Sequence, residues 1–249
     1  ERLSRYATDS YREVTSRDTL DQLQPVLKKI GITRLSNITG LDDIGIPVWQ
    51  GIRPASRYLT VSQGKGLTHQ QAKISAIMES LELYHLEKIT LDTRHCSFRN
   101  RPETAAFINP QHWHHGCLVQ PNLDHLPLDW VTAENLITHQ PCYVPKQAMT
   151  IDMRLSVNKA QCFRPSTTGI AGGNTINEAS VKALLEIIER HSLKQLQQQP
   201  SLKLKAIKIP NELEPFQTIL AMIERTNKSI RCFVVVNAWQ IPVYWCEID

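Results

Sequence analysis

Apolar residues recur with a helical period in three separate parts of the chain. Between residues 20 and 30 they stand three or four positions apart, which predicts an amphipathic helix that ends at Gly31. A second helical pattern begins near Thr68, which has the spacing of a capping box with Gln71, and continues for about 20 residues. A third covers residues 175–198 and begins with the same spacing, at Thr175 and Glu178. The pattern therefore predicts three helices.

Short runs rich in β-branched and apolar residues predict the strands. Three such runs follow the first helix, over residues 32–39, 47–53 and 57–62. Two more close the chain, over residues 231–238 and 242–248. Because helices alternate with groups of strands, the chain is predicted to have a mixed α and β fold of the α+β class.

The middle of the chain has a weaker pattern. Residues 94–145 are rich in Pro and Trp, and we interpret them as loops with short strands. Residues 94–150 are accordingly expected to form an inserted, loop-rich subdomain. The stretch His-Trp-His-His-Gly-Cys at residues 112–117 is interpreted as a polar surface loop, because adjacent ligands on a loop rarely build a tetrahedral metal site.

Composition narrows the class of protein. With 249 residues, 41% of them hydrophobic, the chain can build a sizeable core. A net charge of +4 is too small for a dedicated nucleic-acid binder. No apolar stretch approaches the ~18 residues of a membrane span. The six cysteines include no CxxC pair, which indicates reduced thiols. We therefore expect a cytoplasmic protein that binds neither nucleic acid nor a membrane.

The second predicted helix carries a stripe of oxygen-bearing side chains. Ser75, Glu79 and Glu82 fall within an arc of about 60° on a helix of 3.6 residues per turn. Such a stripe can hold a divalent cation, since Mg²⁺ takes oxygen ligands. The alternative is a solvated acidic face. Leu83 and Leu86 stand where Lys or Arg partners of Glu79 and Glu82 would stabilise such a face.

The third predicted helix follows a Gly-rich loop. Backbone N–H groups at a helix N-terminus bind anions, and this loop over residues 166–174 matches neither the Walker nor the Rossmann fingerprint. The polar residues of the loop end and helix are Asn174, Glu178, Glu186, Glu189 and Arg190. The alternative is again structural, because Glu178 with Lys182 and Glu186 with Arg190 have the spacing of surface ion pairs.

The two helices together predict more than either alone. If they face each other, they bring together five carboxylates, those of Glu79, Glu82, Glu178, Glu186 and Glu189. Like charges at such density need cations, and a triphosphate with two or more Mg²⁺ ions would supply them. Lys65, Arg190 and Arg12 are the candidates to contact phosphate oxygens.

Several motifs in this order resemble the YcaO family. They are GITRL at residues 31–35, SQGKG at 62–66, SxxxExxE at 75–82, GGNTxxE at 172–178 and ExxER at 186–190. The resemblance covers residues 12–92 and 164–192. The family's C-terminal contribution of a further Glu or Gln and an Arg is not found, so residues 1–249 are expected to form a partial YcaO-like domain.

The resemblance implies a YcaO-type ATP-binding fold that is not P-loop, Rossmann or kinase-like. It also implies ATP and Mg²⁺ as cofactors. Carried over residue by residue, it assigns their ligands to Ser75, Glu79 and Glu82 in the first segment and to Asn174, Glu178, Glu186, Glu189 and Arg190 in the second. Lys65 and Arg12 are expected near the nucleotide.

The activity implied by the resemblance is ATP-dependent activation of a peptide backbone amide by phosphorylation of its oxygen, which gives azoline or thioamide products. Phosphoryl transfer needs positioning and charge neutralisation, so no catalytic side chain is assigned. Two alternatives stay open: a non-catalytic nucleotide- or peptide-binding module, and an accessory factor for ribosomal-protein methylthiolation. The expected partners are a peptide or protein substrate and a TfuA-like or leader-binding protein, and the family is compatible with a homodimer. We expect the full-length protein to be an enzyme.

Overall fold

The computed structural model divides the chain into two compact units. The structure describes residues 6–7, 10–113, 122–152, 162–163, 166–198, 204–209 and 214–249. Unit 1 comprises Glu1–Pro54, Thr60–Glu82 and Thr168–Asp249, and unit 2 comprises Ala55–Leu59 and Leu83–Thr167. Most of the His-rich stretch, residues 114–117, lies outside the described residues.

Helices and strands are mixed along the chain, which confirms the predicted fold class. The helices are α1 (Ser16–Lys29), α2 (His69–Lys88), α3 (Ile176–Gln198) and α4 (Glu214–Glu224). The strands are β1 (Tyr6–Ala7), β2 (Ser10–Tyr11), β3 (Arg34–Asn37), β4 (Val48–Ile52), β5 (Val61–Lys65), β6 (Arg94–Ser97), β7 (Ala106–Phe107), β8 (Pro127–Glu134), β9 (Pro141–Pro145), β10 (Lys205–Ile207), β11 (Ile230–Val235) and β12 (Val243–Ile248).

Three expectations about these elements need correction. The first helix begins at Ser16 rather than at residue 20, because the side chain of Thr15 accepts a hydrogen bond from the Asp18 N–H and caps the helix there. The strand predicted over residues 57–62 is wrong, because β5 occupies Val61–Lys65 and so takes in most of the SQGKG motif. The sequence patterns also missed α4 and β10.

In unit 1, α2 packs directly on an antiparallel sheet with the strand order β3-β4-β5. Gly64 allows this close approach: a Cβ atom there would lie 2.1 Å from the backbone N of Ala76. The helix residues on this side, Ala72 and Ala76, are fully buried. Small residues on both elements thus fix the position and rotation of α2.

One buried arginine ties three elements of unit 1 together. Arg53 follows β4 and is only 3% exposed. Its guanidinium donates to the carbonyl oxygen of Ile30, at the end of α1, over 2.9 Å, and to that of Ser80 in α2 over 3.1 Å. A buried charge is tolerated where hydrogen bonds satisfy it, and here it joins α1, β4 and α2.

The second sheet of unit 1 is antiparallel, with the order β10-β11-β12. Helix α3 contacts β11 and β12. Its Ser192 is buried, and the ring of His191 meets that of Trp239 edge-on, with 5.1 Å between centroids. These contacts fix the helix that carries the second group of predicted ligands.

Unit 2 is built on a four-stranded sheet with the order β6-β8-β9-β7, in which only β7 and β9 are parallel. Its core cluster consists of Leu123, Leu128, Trp130, Cys162 and Phe163. Residues 94–150 lie within this unit, and their role as an inserted subdomain stays a prediction. None of the described helices combines the length and apolar character required to cross a bilayer.

Candidate functional site

The acidic stripe of α2 starts from a well-defined helix end. The Thr68 N–H donates to Gln71 over 3.1 Å, and the Gln71 N–H donates to Thr68 Oγ1 over 3.2 Å, so the predicted capping box is formed. Ser75 is exposed and Glu79 is half-buried. Glu79 Oε2 accepts the backbone N–H of Gln63 in β5 over 2.8 Å, which orients this carboxylate.

Glu82 joins the two segments that the sequence predicts to form one site. Its Oε1 accepts the Gly172 N–H over 2.6 Å and the Lys182 ammonium of α3 over 2.8 Å. The side chain is only 14% exposed. Gly172 permits the approach, because a Cβ atom there would lie 2.5 Å from Cε of Met78. The counter-charge that α2 lacks in its own sequence therefore comes from α3.

At the start of α3, Glu178 holds the end of the Gly-rich loop. Its Oε2 accepts the Asn174 N–H over 2.9 Å and Nδ2 of the same residue over 3.2 Å. Arg12 lies 3.7 Å away, and the Glu13 N–H donates to Oε1. Burial raises the pKa of Glu178, but the hydrogen bonds from Glu13 and Asn174 outweigh it, so the pKa lies below its ordinary value. This carboxylate is therefore ionised at neutral pH.

The capping box predicted for Thr175 and Glu178 is only half formed. The Glu178 N–H donates to Thr175 Oγ1 over 3.2 Å, as expected. The carboxylate of Glu178, however, accepts from Asn174 instead of the Thr175 N–H. Thr19 of α1 donates to Oδ1 of Asn174 over 3.0 Å, so the loop end is also held from α1.

Further along α3, the carboxylate of Glu186 has hydrogen-bond and ion-pair partners, whereas that of Glu189 has none among the described residues. Glu186 accepts the Gly169 N–H over 3.0 Å and pairs with Arg190 over 2.7 Å, which confirms the predicted i,i+4 contact. Arg190 also donates to Thr168 over 3.3 Å. Glu189 is exposed, and the described part of the chain gives its carboxylate no hydrogen-bond or ion-pair partner.

The candidate residues are joined in small groups rather than in a single cluster: Glu82 with Gly172 and Lys182, Arg12 and Asn174 with Glu178, and Glu186 with Arg190. Within the described ranges, no three His, Cys, Asp or Glu side chains are grouped closely enough to hold one metal ion. Lys65 is exposed at the end of β5, opposite Val48 of β4. The structure thus brings Glu82 to the Gly-rich loop and Arg12 to Glu178, and among these described candidates it gives Ser75 and Lys65 no hydrogen bond or ion pair with the others.

Sequence reasoning missed several residues that position these candidates. Lys182 was interpreted as the i,i+4 partner of Glu178, but it pairs with Glu82. The backbone N–H groups of Gln63 and Glu13, and the hydroxyl of Thr19, also bind candidate residues. The unpaired Glu82 on α2 was the signal in the sequence that a cation from elsewhere was required.

A family model described as the ATP- and Mg²⁺-binding YcaO cyclodehydratase matches residues 63–249. The chain belongs to the YcaO family. The match begins within β5 and includes both α2 and α3, and it confirms the resemblance drawn from the motifs.

Curated relatives support the same membership. An uncharacterised protein of Mycobacterium tuberculosis is 37% identical over 190 residues, which cover 74% of this chain and 42% of that protein. A Rhizobium leguminosarum protein named for the tfuA 3′ region is 32% identical over 180 residues, which cover 72% of this chain and 42% of that protein. The YcaO chain therefore spans about two fifths of the length of these relatives.

Solved structures share the fold. The Methanopyrus kandleri YcaO, bound with AMPPCP and Mg²⁺, superposes with a TM-score of 0.68 at 22% identity and covers 99% of this chain and 65% of its own. A heterocyclase in complex with substrate and cofactor gives a TM-score of 0.79 at 17% identity, over 100% of this chain and 37% of its own. The Escherichia coli microcin synthetase complex gives 0.58 at 17% identity, over 82% of this chain and 51% of its own.

Proposed function

We propose that this YcaO chain binds ATP with Mg²⁺ at the candidate residues of α2, the Gly-rich loop and α3, and that it activates a peptide backbone amide. The observation that carries the proposal is the contact of Glu82 with Gly172 and Lys182, since it joins the two motif segments in one unit. The family's description as ATP- and Mg²⁺-binding supports the choice of ligand. The proposed nucleotide-site residues are Arg12, Lys65, Ser75, Glu79, Glu82, Asn174, Glu178, Glu186, Glu189 and Arg190.

The donor set fits Mg²⁺, which prefers carboxylate oxygens and water. Oε1 of Glu79, Oε2 of Glu82 and both oxygens of Glu189 have no partner among the described residues. These three carboxylates offer open oxygens on side chains of which two are already oriented by backbone N–H groups. We assign the first contacts with Mg²⁺ to them.

Glu178 and Glu186 fit the proposal in a different way, because all of their oxygens are already engaged. Glu178 pairs with Arg12 and Glu186 with Arg190. If the carboxylates turn to Mg²⁺, each arginine is released beside the site with its charge available. Arginine makes strong charge-assisted hydrogen bonds to phosphate oxygens, so both cations would then contact the triphosphate.

ATP supplies the phosphoryl group that converts the amide oxygen into a leaving group. A nucleophile would add to the amide carbon, the resulting oxyanion would take the γ-phosphoryl group of ATP and release ADP, and phosphate and a proton would depart when the azoline or thioamide forms. The role of the protein residues is to position the reactants and neutralise charge. Lys65, Arg12 and Arg190 supply positive charge, and Asn174 fixes the loop end through its contacts with Thr19 and Glu178.

The partner is proposed to be a second protein that presents the peptide substrate. A relative named for the tfuA 3′ region favours a TfuA-like protein. The microcin synthetase structures are complexes, one of them with its pro-peptide bound, which supports a leader-binding partner in general terms. We place the activity in the cytoplasm, where ATP is available, and a homodimer stays a prediction.

Calorimetric titration of AMPPCP into the whole chain, with and without Mg²⁺, tests the nucleotide site. We expect binding that requires Mg²⁺ and is weakened at least about tenfold in Glu79→Ala and in Glu189→Ala. Asp21→Ala is the matched control, since this exposed acid of α1 lies in the same unit and has no partner among the described residues. Equal affinity in all three variants would contradict the proposal.

A non-catalytic binding module is the second candidate, because four of the five glutamates already act as anchors for backbone N–H groups. Phosphate release separates the two functions. With ATP, a partner protein and its peptide, the enzyme releases phosphate in step with product, whereas a binding module retains nucleotide affinity without release.

A further inference from the structure

Beyond the proposed nucleotide site, two cysteines face each other across neighbouring strands of unit 1. Cys232 of β11 and Cys246 of β12 are partners in the antiparallel register, and their sulfur atoms lie 3.1 Å apart. Cys232 is buried and Cys246 is exposed. Both are free thiols. We propose that Cys232 and Cys246 form a reversible disulfide that responds to cellular thiol redox state.

The position of the pair in the strand register suits a disulfide. Ser229 and Asp249 exchange both of their backbone hydrogen bonds, over 3.2 and 3.0 Å, so they are a hydrogen-bonded pair. Hydrogen-bonded and non-hydrogen-bonded pairs alternate along an antiparallel ladder. Counting inward from Ser229 and Asp249 makes Cys232 and Cys246 a non-hydrogen-bonded pair.

In such a pair the Cα atoms lie about 4.5 Å apart and the side chains are at their closest. This separation falls inside the range of about 4.4–6.8 Å found for disulfides. Both thiols already point to one face, as the sulfur contact shows. The bond can therefore form without a change of register, and small side-chain rotations are sufficient.

The two thiols have different accessibility, which sets the order of reaction. Burial and the hydrogen bond with Cys246 raise the pKa of Cys232 to about 11, so this sulfur stays protonated at neutral pH. Cys246 is the sulfur that meets an oxidant from solution. Cys232 is the resolving thiol beside it.

The oxidant is a small disulfide of the oxidised-glutathione class. The Cys246 thiolate attacks one sulfur of this disulfide and displaces one glutathione thiolate, which gives a mixed disulfide. Cys232 then attacks the Cys246 sulfur, loses its proton to solvent and displaces the second glutathione thiolate. Two protein thiols are oxidised, and one oxidised glutathione is reduced to two glutathione molecules. Transient redox-sensing disulfides of this kind occur in cytosolic proteins.

The bond would close a ring over residues 232–246 and pin β12 to β11. The turn inside this ring contains Trp239, whose indole contacts His191 of α3. Oxidation therefore stiffens the hairpin on which α3 packs.

Peptide mapping of the whole chain tests the proposal. The protein is equilibrated with mixtures of oxidised and reduced glutathione, alkylated, and digested with trypsin. No Lys or Arg lies between residues 232 and 249, so both cysteines fall in one tryptic peptide. In oxidising mixtures we expect this peptide to carry no alkyl group and to be two hydrogen atoms lighter than the reduced peptide. After reduction with dithiothreitol and renewed alkylation, it should carry two alkyl groups. The unfolding midpoint should rise by several degrees in the oxidised form.

The variants give the controls. In Cys232→Ser, Cys246 should keep a glutathione adduct because no resolving thiol remains, and Cys96→Ser should leave the mapping result unchanged. Two alkyl groups that persist in pure oxidised glutathione, a stable glutathione adduct in the unsubstituted chain, or a disulfide-linked dimer on a non-reducing gel would overturn the proposal.

Discussion

The two units of the chain are stabilised by different kinds of buried contact. In unit 2 the core contains an aromatic cluster: Trp130 is fully buried, packs against Phe98 and Phe107, and donates its indole N–H to the Cys96 carbonyl oxygen. In unit 1, the loop before α3 is held by carboxylates, since Glu82 and Glu178 accept its backbone N–H groups. An aromatic core specifies shape alone. A carboxylate that anchors a loop can also hold a cation, so structure and ligand binding depend on the same atoms.

The largest effect on stability is expected when the central side chain is removed from the aromatic cluster of unit 2. Trp130→Ala should lower the free energy of unfolding by about 3–5 kcal/mol, because it removes a fully buried indole and leaves a cavity. Urea denaturation measures the loss. At low temperature and without urea, the Mg·AMPPCP affinity should stay at the original value, since every proposed ligand belongs to unit 1. A parallel loss of affinity in the folded variant would contradict this separation.

The carboxylate anchor of unit 1 is expected to matter next. Glu82→Ala removes the acceptor of both Gly172 and Lys182, and hydrogen bonds to charged groups contribute about 1.5–3 kcal/mol. We expect a loss of about 2–3 kcal/mol in urea denaturation together with loss of Mg·AMPPCP binding.

Glu82→Gln is the matched variant, because it keeps an acceptor for Gly172 but loses the charge. It should restore part of the stability and none of the Mg²⁺-dependent affinity. If Glu82→Gln binds nucleotide as tightly as the original chain, Glu82 acts as an anchor only.

The pH dependence of stability reports on Glu178. Its pKa in the folded chain lies below the ordinary value of 4.5, so its contribution to stability is present above that pH and is lost as the pH falls through the lowered pKa. Thermal unfolding midpoints between about pH 6 and pH 3 should therefore fall less steeply in Glu178→Gln than in the original chain. Identical slopes would show that the hydrogen bonds to this carboxylate do not persist in solution.

The smallest effect on stability, and the sharpest test of the comparison, is expected at Glu189. This carboxylate is exposed and anchors nothing in the described part of the chain. Glu189→Ala should change the free energy of unfolding by less than about 0.5 kcal/mol, yet lower the Mg·AMPPCP affinity at least about tenfold. Unchanged affinity in this variant would remove Glu189 from the site without affecting the anchoring roles of Glu82 and Glu178.

Sequence patterns predicted the three helices because each has a strong period or a capping signal, as at Thr68 and Gln71. They failed at β5, because the predicted strand over residues 57–62 ends before Gly64. A glycine is required at position 64 because α2 approaches β5 closely there. This contact joins residues that are not adjacent in sequence, so no local pattern reveals it. Residues 214–224 had a signal that was overlooked, a Pro near the start of an apolar run that is typical of a helix.

In the candidate site, too, helix spacing predicts some features and tertiary contacts decide the others. The stripe of Ser75, Glu79 and Glu82 follows from helix geometry, and the structure leaves it accessible in part. Helix spacing does not predict whether Lys182 pairs with Glu178 or with Glu82, because that depends on the tertiary contact between α2 and α3. Local spacing predicts which residues share a face, whereas tertiary contacts decide which charges pair.

Arg53 has a consequence for the order in which unit 1 opens. Because its guanidinium is bound to carbonyl groups at the end of α1 and within α2, neither helix can unwind there without breaking a buried contact of the other. The amides around Ile30 and those around Ser80 should therefore exchange with deuterium at the same rate, as one cooperative unit. A single side chain thus couples the local fluctuations of two helices that are far apart in sequence.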